Sequence, residues 1–190
     1  TLSNWDFTRT GVSGDPDVTT KLAQDSAPFD KGDTMYTIYD TLYQVANKKL
    51  IEADPTTSDW EQSKVDMANG EIGVMVLGSW AVPQIQDIVP ENSENITFQT
   101  FPTTAEDGEQ YMGIGGDYNL AINVNSEHKE AARTLLDWLV NESDYAVDNG
   151  GLSAVIGGDY PAALQASQDA GVILLEENPA PEGKESLFPD

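Results

Sequence analysis

The residues able to do chemistry are few in kind. There is one histidine, His128, and no cysteine. No Ser-His-Asp or Cys-His relay can be assembled from them. The lack of cysteine also removes disulfides, thiolate nucleophiles and thiolate metal sites. "GIGGDYN", starting at Gly113, has clustered glycines. It lacks the third-glycine spacing and the following lysine that a phosphate cradle needs. Carboxylates abound, with 33 acidic residues, but a glycosidase needs two of them at a set separation. "DPD" from Asp15 and "AEDGE" from Ala105 offer hard oxygen ligands. Neither follows the EF-hand spacing, so both are read as solvated loops. No metal or cofactor is expected.

Binding chemistry remains. Trp80 follows Gly78 and Ser79 at the end of an apolar run. An indole face can pack on the C–H face of a pyranose while nearby hydroxyls and carboxylates bond the ring hydroxyls. Small neighbours would leave that face open. The competing reading is a tryptophan that plugs a core. Residue chemistry by itself favours the plug.

The elements that must hold these residues alternate between helix and strand, which argues for an α/β fold. Residues 1–30 are rich in turn formers. A helix is expected from about Asp33 to Leu50, with Met35, Ile38, Tyr39, Leu42, Val45 and Ala46 at helical spacing. Ser58 and Glu61 have the spacing of a capping box for the next helix, which Gly70 would stop. Ile72 to Leu77 reads as a strand covered on both faces, with a short buried helix as the alternative. A short helix from Ala81 to Val89 takes Pro83 in its first turn. "NITFQTFP" reads as a strand in which Ile96 and Phe98 alternate and Phe101 falls out of phase by one. A strand-like stretch broken by glycines runs through Tyr111–Val124. Ser126 is expected to cap a helix with Ala132, Leu135, Leu136 and Leu139 on one face, and His128 in its first turn. A second short helix follows near Tyr145–Val147, then a loop, a helix from Tyr160 and an acidic, proline-rich tail.

The chain has 190 residues, 39% of them apolar, enough for a packed core. Nine basic residues leave a net charge of −24. Such a charge repels nucleic-acid phosphates and anionic membranes, and neither is expected as a partner. No apolar run is long enough to span a membrane. The opening residues read like the middle of a chain, and a fragment of something larger is expected.

The order of the motifs is more specific than any one of them. "YTIYDTLYQVANKKLI" precedes "DW" and "MANGEIGVMVLGSW". Then come "FPTT", "GIGGDYNLAINVNSEHKEAARTLLDWLVNES" and "NGGLSAV". This series resembles the extracellular solute-binding proteins of ABC transporters, in particular the carbohydrate-binding family that includes maltose-binding protein. Met67 stands where that family has phenylalanine, and Val74-Met75 where it has Ala-Met. Both are apolar exchanges that keep packing.

The resemblance implies a type II periplasmic-binding-protein-like fold, a mixed sheet flanked by helices, from an incomplete bilobal protein. It implies that residues 1–116 belong to the C-terminal lobe. Residues 117–156 would cross the hinge and supply a strand and helix packed on the N-terminal lobe. Residues 157–190 would return to the C-terminal lobe and end in the acidic tail. The implied function is capture of a sugar or oligosaccharide between lobes and delivery to a membrane permease, without covalent chemistry. A cell-surface lipoprotein or periplasmic protein is implied. Trp80 matches the family's stacking tryptophan. Gly116, in the Gly115-Gly116 turn, lies where the chain passes the cleft. Asp117 and Tyr118 would bond ligand hydroxyls or serve as hinge-strand residues. Trp60, Trp5 and Trp138 are read as packing residues. The alternatives are a protein of the same fold for a polyamine or another small polar molecule, and a glycosidase. The resemblance also leaves the apolar face around Leu135 without its sheet. That face must repack, pair with another copy or stay exposed.

Overall fold

The computed structural model describes residues 3–116 and 119–184. Its helices are α1 (Ser3–Asp6), α2 (Arg9–Ser13), α3 (Val18–Gln24), α4 (Thr34–Asn47), α5 (Trp60–Ala68), α6 (Ala81–Gln86), α7 (Lys129–Asn141), α8 (Tyr145–Asp148) and α9 (Gln165–Asp169). The strands are β1 (Tyr111–Ile114) and β2 (Ile173–Glu176). The chain divides into two compact units. One takes Thr1–Ser63, Gln99–Gly115 and Ser167–Asp190; the other takes Lys64–Phe98 and Gly116–Ala166.

In the first unit β1 and β2 pair in parallel, with Tyr111 opposite Ile173 and Ile114 opposite Glu176. A parallel pair needs a long crossover, and residues 115–172 supply it. The core joins Val12, Met35 and Ile38, with Trp5, Leu22, Tyr39 and Phe101 packed against them. Ile38 is completely buried. The apolar stripe read on α4 is buried only in its first half, at Met35 and Ile38. Trp5 meets the edge of Phe101 at 5.8 Å, the favoured quadrupole geometry. The Tyr39 hydroxyl donates to Asp6 Oδ1 at 2.6 Å. That bond, with burial and the charge of Asp6, pushes the phenol up to about 12.

The end of β2 is held by polar contacts. Arg9 Nη2 donates to Glu177 Oε1 at 3.0 Å, and the hydroxyls of Thr10 and Thr19 donate to the same carboxylate. Both threonines are buried. Asn178 donates its backbone N–H to Pro16 O and its side chain to Asp17 Oδ1, both at 2.8 Å.

In the second unit Ala68, Ala81, Val82, Ile85 and Ile96 form the core, flanked by Met67, Met75, Leu77, Val89, Phe98 and Ala163. Gln86 Nε2 ties the surrounding loop by donating to Ser93 O and Ile96 O.

Several expectations are corrected. Ile72 to Leu77 is extended but joins no ladder among the described residues. It is not covered on both faces: Met75 and Leu77 pack on the core while Val74 is 81% exposed. A strand forms only where a neighbour takes its N–H and C=O groups, and this segment has no ladder partner among the described residues. "NITFQTFP" likewise joins no ladder among the described residues. Its phase slip has a physical cause. Ile96 and Phe98 turn into the second unit's core, and Phe101, past the boundary at Gln99, turns into the first unit's core.

Among the described residues of the strand-like stretch Tyr111–Val124, a strand forms only over Tyr111–Ile114. The turn-rich opening contains three short helices. β2 was not expected at all; the run Val172–Leu175 was its signal.

Two caps also move. Asp59 caps α5: its Oδ1 accepts from Gln62 N at 2.9 Å. Ser58 instead donates to Glu52 Oε1. Asp59→Ala is expected to cost about 1 kcal/mol in urea unfolding, and Ser58→Ala much less. Ser126 accepts from His128 N and so shapes the turn before α7, where exposed His128 is the N-cap residue. No residue of α7 is buried. Ala132, Leu136 and Leu139 are half-buried, while Leu135 and Trp138 are 59% and 50% exposed. Among the described residues that apolar face is therefore only partly covered.

Candidate functional site

The candidate site is the turn that carries Trp80. The extended segment up to Leu77 ends at Gly78, and α6 begins at once. Ala81 N donates to Gly78 O and Val82 N to Ser79 O, each at 3.1 Å. These tight bonds hold Trp80 at φ −56° and ψ −22°, already helical. Pro83 needs no amide donor there, as expected of a first-turn proline. Ala81, Val82 and Ile85 anchor the helix with 2%, 5% and 4% exposure, whereas Trp80 keeps 38%. The plugging of the core therefore falls to the aliphatic residues after the tryptophan.

The role of Gly78 differs from the expected one. A Cβ there would lie 2.4 Å from Trp80 Nε1 and 2.6 Å from Cδ1. The room above Gly78 is filled by the pyrrole edge of Trp80 itself, so the glycine seats the indole instead of clearing space for a ligand.

Gly116 is exposed, and a Cβ added to it would meet nothing within 4 Å. Asp117 and Tyr118 lie outside the described residues. Trp60 and Trp138, read as packing residues, are 39% and 50% exposed; Trp5 does pack. Among the described residues, no three His, Cys, Asp or Glu side chains come together to hold a metal ion. Sequence reasoning did not anticipate an open groove of about 420 Å³ lined by Met67, Asn69, Ile72, Asn92 and Asn95. Ile72 opens the segment that leads to Trp80, and Asn92 Nδ2, on the groove wall, donates to Ala68 O. Asparagines clustered in "NGEIG" and "ENSEN" were its signal. No described helix is long and apolar enough to cross a membrane.

The family model for bacterial extracellular solute-binding proteins matches residues 3–146. The chain belongs to this family. Comparison with curated proteins finds no match. Among solved structures, this solute-binding chain is similar to two proteins of Bifidobacterium animalis subsp. lactis. One is BlMnBP2, a manno-oligosaccharide specific solute binding protein in complex with mannotriose. It is 36% identical with a TM-score of 0.81, and the match covers 97% of this chain and 46% of that one. The other is BlMnBP1, a binding protein of an ABC transporter, in complex with mannobiose. It is 33% identical with a TM-score of 0.82, covering 98% of this chain and 46% of that one. Its mannotriose complex gives 34% identity and a TM-score of 0.79. The chain thus spans less than half the length of these relatives. The fold is that of the type II periplasmic binding proteins, and the relatives are binding proteins.

Proposed function

We propose that this chain is part of the sugar-binding component of an ABC importer, and that Trp80 supplies the stacking face for an oligosaccharide. The observation that carries the reading is Trp80 itself. It is held in the first turn of α6 by backbone bonds and keeps 38% of its surface exposed beside a well-buried helix. An indole so placed offers a rigid apolar face at low entropic cost, which suits the C–H face of a pyranose. The likeness to two manno-oligosaccharide binders supports mannose-containing oligosaccharides as the ligand class.

Gly116, Asp117 and Tyr118 complete the proposed site. The backbone at Gly116 gives close access, and the side chains of Asp117 and Tyr118 bond ligand hydroxyls. In the bilobal protein, residues 1–116 and 157–190 belong to the C-terminal lobe and 117–156 cross toward the N-terminal lobe. The lobes close on the ligand by hinge motion. The protein then meets the permease at the outer face of the membrane, as a surface lipoprotein or a periplasmic protein. No catalytic step occurs.

Isothermal titration of the full-length protein against mannobiose, mannotriose and spermidine tests the reading. Saturable binding of the mannosides is expected. Saturable binding of spermidine alone would replace the sugar by a polyamine, and turnover of a chromogenic mannoside would replace the receptor by a glycosidase.

A further inference from the structure

We infer that Gly150 is a positioning residue for Trp80, so that the loop closing α8 sets the angle of the stacking face. The inference rests on the functional reading above, in which that face meets the sugar. "NGGLS" was read from the sequence only as a loop.

Gly150 is buried and has φ +77°. Its N–H donates to Val147 O at 3.0 Å, and the N–H of Gly151 donates to Ala146 O at 2.8 Å. These bonds end α8 and fix the loop. A Cβ on Gly150 would lie 2.6 Å from Ser79 O, 3.1 Å from Ser79 C and 3.2 Å from Pro83 Cδ. The loop backbone therefore rests against the Ser79 carbonyl, at a distance that no side chain tolerates.

That carbonyl matters because it shares one planar peptide unit with Trp80 N. Its oxygen is also the acceptor for Val82 N in the first turn of α6. Any shift of Ser79 O rotates the plane that carries Trp80 and loosens the turn that holds it. Gly78 limits the same residue from the other end, because the indole's pyrrole edge lies over it. Two glycines some seventy positions apart thus bracket Trp80. Gly78 seats the ring and Gly150 backs the peptide plane.

The test reads the tryptophan directly. Incorporated 5-fluorotryptophan in the full-length protein gives one fluorine resonance per tryptophan, and the four that belong to this chain are assigned by single Trp→Phe variants. Gly150→Ala adds both crowding and strain. Gly150→Asn tolerates the positive φ and isolates the crowding. Gly151→Ala is the control, since its Cβ would meet only Ala146 O at 3.2 Å and carbonyl C at 3.9 Å. We expect the Trp80 resonance to move in both Gly150 variants, with Trp5 unmoved and the Gly151 control unchanged. The Kd of the full-length protein for mannotriose is expected to rise about ten-fold.

A Trp80 resonance that stays put in a folded Gly150 variant overturns the inference. Should both Gly150 variants fail to fold, a glycine inserted after Gly151 relaxes the support without a clash. It is expected to move or broaden the same resonance, and an unchanged signal again overturns the inference. Trp80→Ala with unaltered mannotriose affinity overturns the sugar reading alone, since the resonance shifts judge the positioning separately.

Discussion

Trp80→Ala is expected to raise the Kd for mannotriose about 30- to 100-fold in the full-length protein, or about 2–3 kcal/mol of binding free energy. The size follows from what is removed. A buried indole covers on the order of 150–250 Å², and truncating a central aromatic anchor is among the costliest single changes at an interface. Trp80→Phe keeps an aromatic face of smaller area and is expected to recover part of the affinity. Folding should change little, because Ala81, Val82 and Ile85 carry the burial of α6 and Trp80 is 38% exposed. Isothermal titration with a parallel thermal melt separates the two effects. Unchanged affinity, or a large loss of stability, would return Trp80 to the role of a packing residue.

Glu177→Ala is expected to destabilise the protein by about 3 kcal/mol in denaturant unfolding, the cost of stripping one partner from a mostly buried ion pair. The substitution leaves the Arg9 guanidinium, its side chain only 12% exposed, without its carboxylate. It also takes away the acceptor of the Thr10 and Thr19 hydroxyls, each 3% exposed, and leaves Thr19 Oγ1 only the bond it accepts from Arg9 Nε. These contacts join residues that lie more than 150 positions apart and clamp the chain just after β2 onto α2 and α3.

The pH dependence is fixed by the direction of the shift. Burial by itself pushes the Glu177 carboxyl up. The hydroxyls of Thr10 and Thr19 and the Arg9 guanidinium outweigh it and hold the group below its ordinary 4.5. A carboxyl whose folded pKa is depressed contributes stability that is fully present above the unfolded value. That stability is lost as pH falls through the folded one. Stability measured from neutral pH downward should therefore fall in acid, and Glu177→Gln should remove that part of the slope. Identical acid profiles for the two proteins would show that the carboxylate charge contributes nothing.

Sequence reading succeeded where the determinant is local. α4, α6, α7 and α8 follow from a 3.6-residue period and from turn residues within a few positions. The family follows from an ordered series of short motifs. Local reading failed by one residue at the α5 cap. Ser58 and Asp59 are both good caps, and only the geometry of the first turn selects Asp59. It failed more widely for strands. Ile72–Leu77 has strand composition, but a ladder needs a partner from elsewhere in the chain, and among the described residues only Tyr111–Ile114 and Ile173–Glu176 find one another.

By itself the sequence determined helices α4 to α8, the strongly acidic charge, the absence of thiol and histidine-relay chemistry, and Trp80 as the residue to watch. Each of these depends on residue type or on neighbours a turn away. Tertiary structure alone decided that Trp80 stays out of the core, that Gly78 seats its ring, that Gly150 stands behind its peptide plane and that Glu177 locks the end of β2. Those outcomes depend on which distant backbones approach within contact distance, and that distance is set by packing of the whole unit and not by any one segment.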